Sequence, residues 1–231
     1  MDFSIFDLRG YQTLTVREGY RQWVQTYEAT VLDLMDLRLL ARLQTIAWGE
    51  PHRVLDLACG TGRIGVWLTQ YGVRRVDGLD LTAEMLAVAR GKRVYDLLLL
   101  GDILQMPIAA GSYELVTMVL ADEHIPDLPP LYREVARISR PAGRFVLVGY
   151  HPYFLIAGIP THFNREGREP AAIQSYVHLF SDHFHAATEA GWSLQEVEEG
   201  LIDEQWLLKK SRWRSYLHRP VSFALVWQKT R

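Results

Sequence analysis

Five short apolar runs alternate with segments of helical length through the middle of this chain, and that alternation restricts the fold more than any other feature. The runs occupy 54–58, 76–79, 96–100, 115–120 and 145–149, with helical-length segments such as 63–71, 82–90 and 129–139 between them. Leu97–Leu100 and Phe145–Val148 carry no polar alternation, the pattern of strands covered on both faces. Strand–helix–strand units with right-handed crossovers then build a doubly wound parallel sheet. Gly101, Gly111, Pro141 and Gly143 stand at the junctions, where chain reversals call for such residues.

Two regions lie outside the alternation. From Val16 to Trp48 apolar residues recur at helical spacing, among them Val31, Leu34, Met35, Leu39 and Leu43, and the stretch stops at Gly49 before Pro51. This predicts a helical N-terminal cap over 1–50. The stretch from His151 to Phe180, rich in Pro, Gly, His and aromatic residues, exceeds the connections of about 2–6 residues usual in such sheets. An insert at the carboxyl ends of strands is where α/β enzymes hold substrate, so 151–180 is expected to cover one. A helix from Ser181 to Ala190, a strand near Leu194–Val197 and a last strand around Ser222–Trp227 complete a single domain spanning 1–231.

The chemistry starts at Val54-Leu55-Asp56-Leu57-Ala58-Cys59-Gly60-Thr61-Gly62-Arg63-Ile64-Gly65: a buried strand, a glycine-rich turn and a helix start. Such a turn brings backbone N–H groups against a ligand. Gly60 to Gly65 satisfies GxGxxG and Asp80 lies 20 residues beyond Gly60, as a dinucleotide fingerprint would ask. Asp56 decides against that ligand. A carboxylate just before the turn opposes a dianionic pyrophosphate, whereas S-adenosylmethionine, with its sulfonium and ammonium, is favoured by it.

Further motifs follow in order: Gly78-Leu79-Asp80-Leu81-Thr82-Ala83-Glu84-Met85-Leu86, Gly101-Asp102-Ile103 with Met106-Pro107, and Ser112 to Leu120 leading into Asp122-Glu123-His124-Ile125-Pro126-Asp127. Arg133 to Arg144 supplies a last helix and turn. From about Tyr20 to Gly149 the chain resembles the class I S-adenosylmethionine-dependent methyltransferases, particularly the small-molecule branch that includes ubiquinone/menaquinone-type and malonyl-carrier enzymes. The resemblance implies an α/β, Rossmann-like fold, a seven-stranded mostly parallel sheet with a reversed last strand, under an N-terminal helical lid. It implies cofactor contacts from Asp56, Ala58, Gly60 and Gly62 in the turn, ribose hydroxyls on Asp80, and adenine between Leu81 and Met85 with its amino group on Asp102. Ile103, Met118 and the aromatic Tyr20 complete the implied cofactor set. Ala58 and Ala142 stand where many members of the family have glycine.

The implied reaction is in-line displacement of the sulfonium methyl by a nucleophilic acceptor atom. His124, His151 and His178 are the candidates for a general base, because imidazole is matched to proton removal near neutral pH. His151, Tyr153, Phe154, His162, Phe163, Tyr176, His178 and Phe180 give the insert an aromatic and imidazole set suited to a small acceptor. No histidine spacing matches a structural zinc pattern, so no metal is expected. Cys59, the one cysteine, is read as a packing residue, and a single thiol fits a reducing compartment. With 25 Lys and Arg against 27 Asp and Glu, no globally basic surface for nucleic acid is expected. The acidic block Glu196, Glu198, Glu199, Asp203 and Glu204 precedes the basic block Lys209, Lys210, Arg212, Arg214 and Arg219, and the two are expected to pair with each other. The N-terminus carries acids where a signal peptide needs cations, and no apolar segment approaches a membrane span. The expectation is a cytoplasmic methyltransferase for a small-molecule acceptor; the alternatives are one acting on protein or RNA, and a non-catalytic nucleotide-binding module.

Overall fold

In the computed structural model, which describes residues 1–230, a short helical turn (Phe3–Ile5) precedes strand β1 (Gln12–Leu14) and three short helices, α1 (Val16–Trp23), α2 (Tyr27–Thr30) and α3 (Leu37–Leu40). The alternating region follows as β2 (Val54–Leu57), α4 (Arg63–Gln70), β3 (Val76–Asp80), α5 (Ala83–Lys92), β4 (Leu97–Leu100), β5 (Tyr113–Val119), α6 (Leu128–Ile138) and β6 (Ser139–Tyr150). The insert forms α7 (Pro152–Ile156), β7 (His162–Arg165) and β8 (Arg168–Ile173). After it come α8 (Phe180–Glu189), β9 (Trp192–Leu201), α9 (Glu204–Lys209) and β10 (Pro220–Lys229).

The main sheet has seven strands in the order β4-β3-β2-β5-β6-β10-β9. Strands β2 to β6 pair in parallel, and β10 runs antiparallel to both of its neighbours. The order reverses between β2 and β5, so the carboxyl ends of these strands open the crevice in which such sheets bind ligands. Strand geometry sends successive side chains to opposite faces; both faces are covered at the central strand β6, whereas β4, expected to be covered likewise, is an edge strand that leaves Leu97 and Leu100 exposed. Phe145 and Leu147 pack towards Leu131, Tyr132 and Trp192, whereas Val146 and Val148 join Leu39, Leu40, Trp67 and Leu68. All four residues of that β6 run are fully buried, each worth about 1.5–3 kcal/mol of apolar burial, which explains a run without alternation.

The helical cap forms as separate short helices instead of a continuous one. Trp23 Nε1 donates to Thr30 Oγ1 at 2.9 Å and its ring stacks on Phe163, which fixes a turn after α1. Asp36 accepts from Leu37 N to start α3 and pairs at 2.8 Å with Arg63, the first residue of α4. The insert is likewise more regular than expected. Its β7–β8 hairpin pairs antiparallel, and β8 pairs in parallel with β1, so cap and insert share a three-stranded sheet beside the strand ends. Among the described residues no helix is long and apolar enough to cross a membrane.

Candidate functional site

Strand β2 leaves its last residue through a turn with Ala58 at φ 51°, Gly60 at φ 53° and Gly62 at φ 86°. This left-handed region disfavours a side chain. At Gly62 space demands glycine as well, since a Cβ would lie 2.9 Å from the Tyr95 ring. At Gly60 a Cβ would meet nothing nearer than Ala58 O at 4.0 Å, so that side of the turn stays open for a ligand to approach the backbone.

Two carboxyl groups hold the turn. Tyr95 Oη donates to Asp56 Oδ2 at 2.7 Å and accepts from Gly65 N at 3.2 Å; Thr117 Oγ1 donates to Asp56 Oδ1 at 3.1 Å. Burial pushes the Asp56 carboxyl up to about 7 against these bonds. Asp80 Oδ2 accepts from Gly60 N and Oδ1 from Thr82 N, both at 2.8 Å, and burial raises its pKa too. The buried Cys59 thiol is pushed up by desolvation and by Asp56, which leaves it a poor nucleophile at neutral pH.

A cavity of about 260 Å³ opens over the turn. Of the residues singled out in the sequence, Tyr20, Ala58, Gly60, Asp80, Leu81, Met85, Asp102, Ile103 and His124 line it together. Asp56, Gly62 and Met118 are buried and are not on its wall; Asp56 reaches the cavity only through the turn it supports. A second cavity of about 480 Å³ adjoins the first and shares Tyr20, Tyr27 and Leu120 with it. Its walls include Trp23, Tyr150 and the insert residues Phe154, Thr161, His162 and Phe163.

The three histidines part company. His124 Nδ1 lies 2.7 Å from Gln174 O and Nε2 lies 2.8 Å from Tyr20 Oη. A carbonyl only accepts, so Nδ1 carries the proton and Nε2 receives the tyrosine hydroxyl. Burial lowers His124 to about 4, so the ring is neutral. His151 and His178 line neither cavity. His151 Nδ1 accepts from Tyr153 N at the start of α7 while Nε2 lies 2.9 Å from Glu199, and His178 Nε2 donates to Ile125 O at 2.7 Å. Both ring nitrogens of His151 and the Nε2 of His178 are thus engaged in holding the insert and the loop after β5.

Sequence reasoning missed Tyr95 and Glu123. Tyr95 carries no local signal, because its partners lie 30 and 39 residues away. Glu123, in the short helical turn after β5, is adjacent to His124 in sequence; it is 1% exposed and lines the larger cavity. The expected pairing of the two charge blocks also fails. Glu198 pairs with Arg42, Glu196 takes Gln44 N and the Thr45 hydroxyl, Glu199 meets His151, and Asp203 pairs with Arg38 at 2.7 Å. Strand β9, at the sheet edge, carries Glu196 and Glu198 to the N-terminal cap and Glu199 to His151, whereas α9 and the turn after it return Lys209, Lys210 and Arg212 to the larger cavity.

Residues 55–147 match the model of the family described as "Methyltransferase domain". The chain is 42% identical over 91 residues to malonyl-[acyl-carrier protein] O-methyltransferase of Pectobacterium atrosepticum, covering 39% of this chain and 36% of that protein. It is 32% identical over 123 residues to demethylmenaquinone methyltransferase of Thermus thermophilus, covering 51% of this chain and 56% of the relative. The chain thus matches only about a third to a half of the length of these curated relatives. Its fold is similar to that of a solved S-adenosylmethionine-dependent methyltransferase from Mesorhizobium loti, with a TM-score of 0.68 at 21% identity over 85% of this chain and 98% of that one.

Proposed function

We propose that the protein, whose residues 55–147 match the methyltransferase-domain family and whose fold is similar to that of a solved S-adenosylmethionine-dependent methyltransferase, binds S-adenosylmethionine in the smaller cavity and methylates a small-molecule acceptor held in the larger one. The observation that carries this reading is the pair of adjoining cavities with a common wall at Tyr20, Tyr27 and Leu120. A donor in one and an acceptor in the other could meet there.

The residues of the smaller cavity fit the cofactor. A carboxylate offers about four lone-pair directions, and the two amide bonds to Asp80 leave capacity for both hydroxyls of a ribose. Asp102 Oδ1 accepts from Leu104 N at 2.8 Å, and the carboxylate retains capacity for an adenine amino group. Leu81, Met85 and Ile103 supply apolar surface for the base. The cofactor, when bound, supplies a methyl group activated by a sulfonium. The chain's own part is to orient the acceptor in line and to exclude water. Tyr20, held by neutral His124, borders both cavities, and its hydroxyl keeps that border in place. The reaction as proposed draws no proton to His151 or His178. Aromatic walls around about 480 Å³ suit a metabolite better than a polymer. The lone cysteine is consistent with work in the cytoplasm.

Calorimetry tests this reading. S-adenosylhomocysteine should bind and NAD should not, and Asp80→Asn should weaken the sulfur ligand about tenfold to a hundredfold by loss of charge-assisted hydrogen bonds. Failure of the wild-type chain to bind S-adenosylhomocysteine would sink the proposal.

A further inference from the structure

Glu123, with one carboxyl oxygen unpaired, and the basic residues Lys209, Lys210 and Arg212 line the larger cavity together. Glu123 Oε1 accepts from Thr161 Oγ1 at 3.2 Å, while Oε2 is buried with no hydrogen-bond partner among the described residues. A buried polar atom left unpaired is costly, and one on a cavity wall can be satisfied by whatever occupies the cavity. His124 Nε2 lies 3.6 Å from Glu123 Oε1 and is itself bonded to Tyr20. That places the carboxyl beside the wall common to the two cavities.

Arg9, Lys209, Lys210 and Arg212 also line the larger cavity, and none lines the smaller one. None of the four has an acidic partner within ion-pair distance among the described residues. Lys210 is drawn in furthest: its ammonium lies 5.1 Å from the ring centre of Trp213, another lining residue, and its pKa is lowered by burial and by Arg212. Clustered cations without counter-charges favour an anionic ligand.

We propose that the larger cavity selects a small acceptor bearing an anionic group, met by Arg9, Lys209, Lys210 and Arg212, and an N–H or O–H on the atom to be methylated, whose proton passes to Glu123. This rests on the methyltransferase reading above. The acceptor's lone pair forms the new bond to the methyl carbon, and the carbon–sulfur bond breaks with its pair remaining on sulfur. The proton moves from nitrogen or oxygen to the Glu123 carboxylate, which becomes a neutral acid and later returns the proton to water. One positive charge on sulfur and one negative charge on Glu123 disappear together, so the charge balances. Burial and the neighbouring Asp122 raise the proton affinity of Glu123, which brings a carboxylate closer to the strength a general base needs near neutral pH.

The test uses the full chain saturated with S-adenosylhomocysteine and four matched probes: 4-hydroxyphenylacetate, 4-aminophenylacetate, phenylacetate, which lacks the donor, and 2-(4-hydroxyphenyl)ethanol, which lacks the anion. Binding is measured by calorimetry, and the Glu123 carboxyl band by infrared difference spectroscopy, assigned with Glu123→Gln. The expected result is that one or both of the first two probes bind about tenfold tighter or more than the last two, and that binding shifts the Glu123 band. Which of the two binds tighter separates the hydroxyl from the amine acceptor. The surface variant Lys209→Glu/Lys210→Glu/Arg212→Glu should remove the preference for the anion while keeping S-adenosylhomocysteine affinity. Equal binding of all four probes, no binding of any at millimolar concentration, or an anion preference that survives the charge reversal overturns the proposal. Loss of S-adenosylhomocysteine binding by the wild-type chain instead overturns the cofactor reading beneath it.

Discussion

Tyr20 Oη lies 2.8 Å from His124 Nε2, and this bond ties helix α1 of the N-terminal cap to the turn after β5. The two residues are 104 positions apart. Because His124 Nδ1 gives its proton to Gln174 O, the ring has one free lone pair and Tyr20 fills it. A histidine placed by sequence as a candidate base is therefore engaged in positioning a tyrosine on the wall of both cavities.

Tyr20→Phe keeps the ring and removes only the hydroxyl, leaving His124 Nε2 without its donor. The expected cost is about 1–3 kcal/mol, the penalty for a buried acceptor deprived of its partner. Urea denaturation of the two proteins measures it directly. An unchanged midpoint and slope would show that the bond contributes nothing to the fold.

Asp56 should give stability a falling component as pH rises. Its carboxyl is pushed up by burial to about 7 from an ordinary 3.8, despite the bonds from Tyr95 and Thr117. Between those values the folded chain retains a proton that the unfolded chain has released, so this group's contribution is full below the unfolded pKa and is lost as pH rises through the folded one. His124, lowered to about 4 from 6.5, acts in the opposite sense: its contribution is present at neutral pH and is lost as pH falls through that window. Asp56→Asn removes only the first effect. Denaturation at several pH values between 4 and 7 should show the variant gaining on the wild type as pH rises, by at most about 1.4 kcal/mol per pH unit. Parallel profiles would mean that Asp56 ionises normally.

Ala58 holds φ 51° at the start of the turn, a conformation that glycine adopts without penalty and alanine does not. Ala58→Gly is expected to stabilise the chain by about 0.5–1 kcal/mol, read as a raised melting temperature. A lowered one would mean that the methyl group packs favourably enough to outweigh the strain.

The main sheet and most of the smaller cavity were legible in the sequence because their determinants are local. A strand covered on both faces must be apolar throughout, a turn that approaches a ligand must contain glycine, and the acids Asp80 and Asp102 lie at or just past the ends of their strands. Three expectations depended on contacts between distant segments and came out differently. The cap broke into short helices once Asp36 found Arg63 and Trp23 stacked on Phe163. The acidic and basic blocks, neighbours in sequence, separated when the acids of β9 met the cap. His151 and His178 line neither cavity, and three of their four ring nitrogens are bonded to Glu199, Tyr153 and Ile125.

By itself, then, the sequence determined the alternating architecture, the glycine turn and the acids at the strand ends, since backbone geometry and period-two burial act over a few residues. Only the tertiary structure decided which polar groups would be satisfied within the protein and which would be left unpaired in residues that line a cavity. That choice turns on partners brought together from across the chain, as Thr161 is to Glu123, 38 positions away. Glu123 and the unpaired cations are therefore visible only once the chain has folded, because hydrogen-bond satisfaction belongs to the whole molecule and has no local pattern to read.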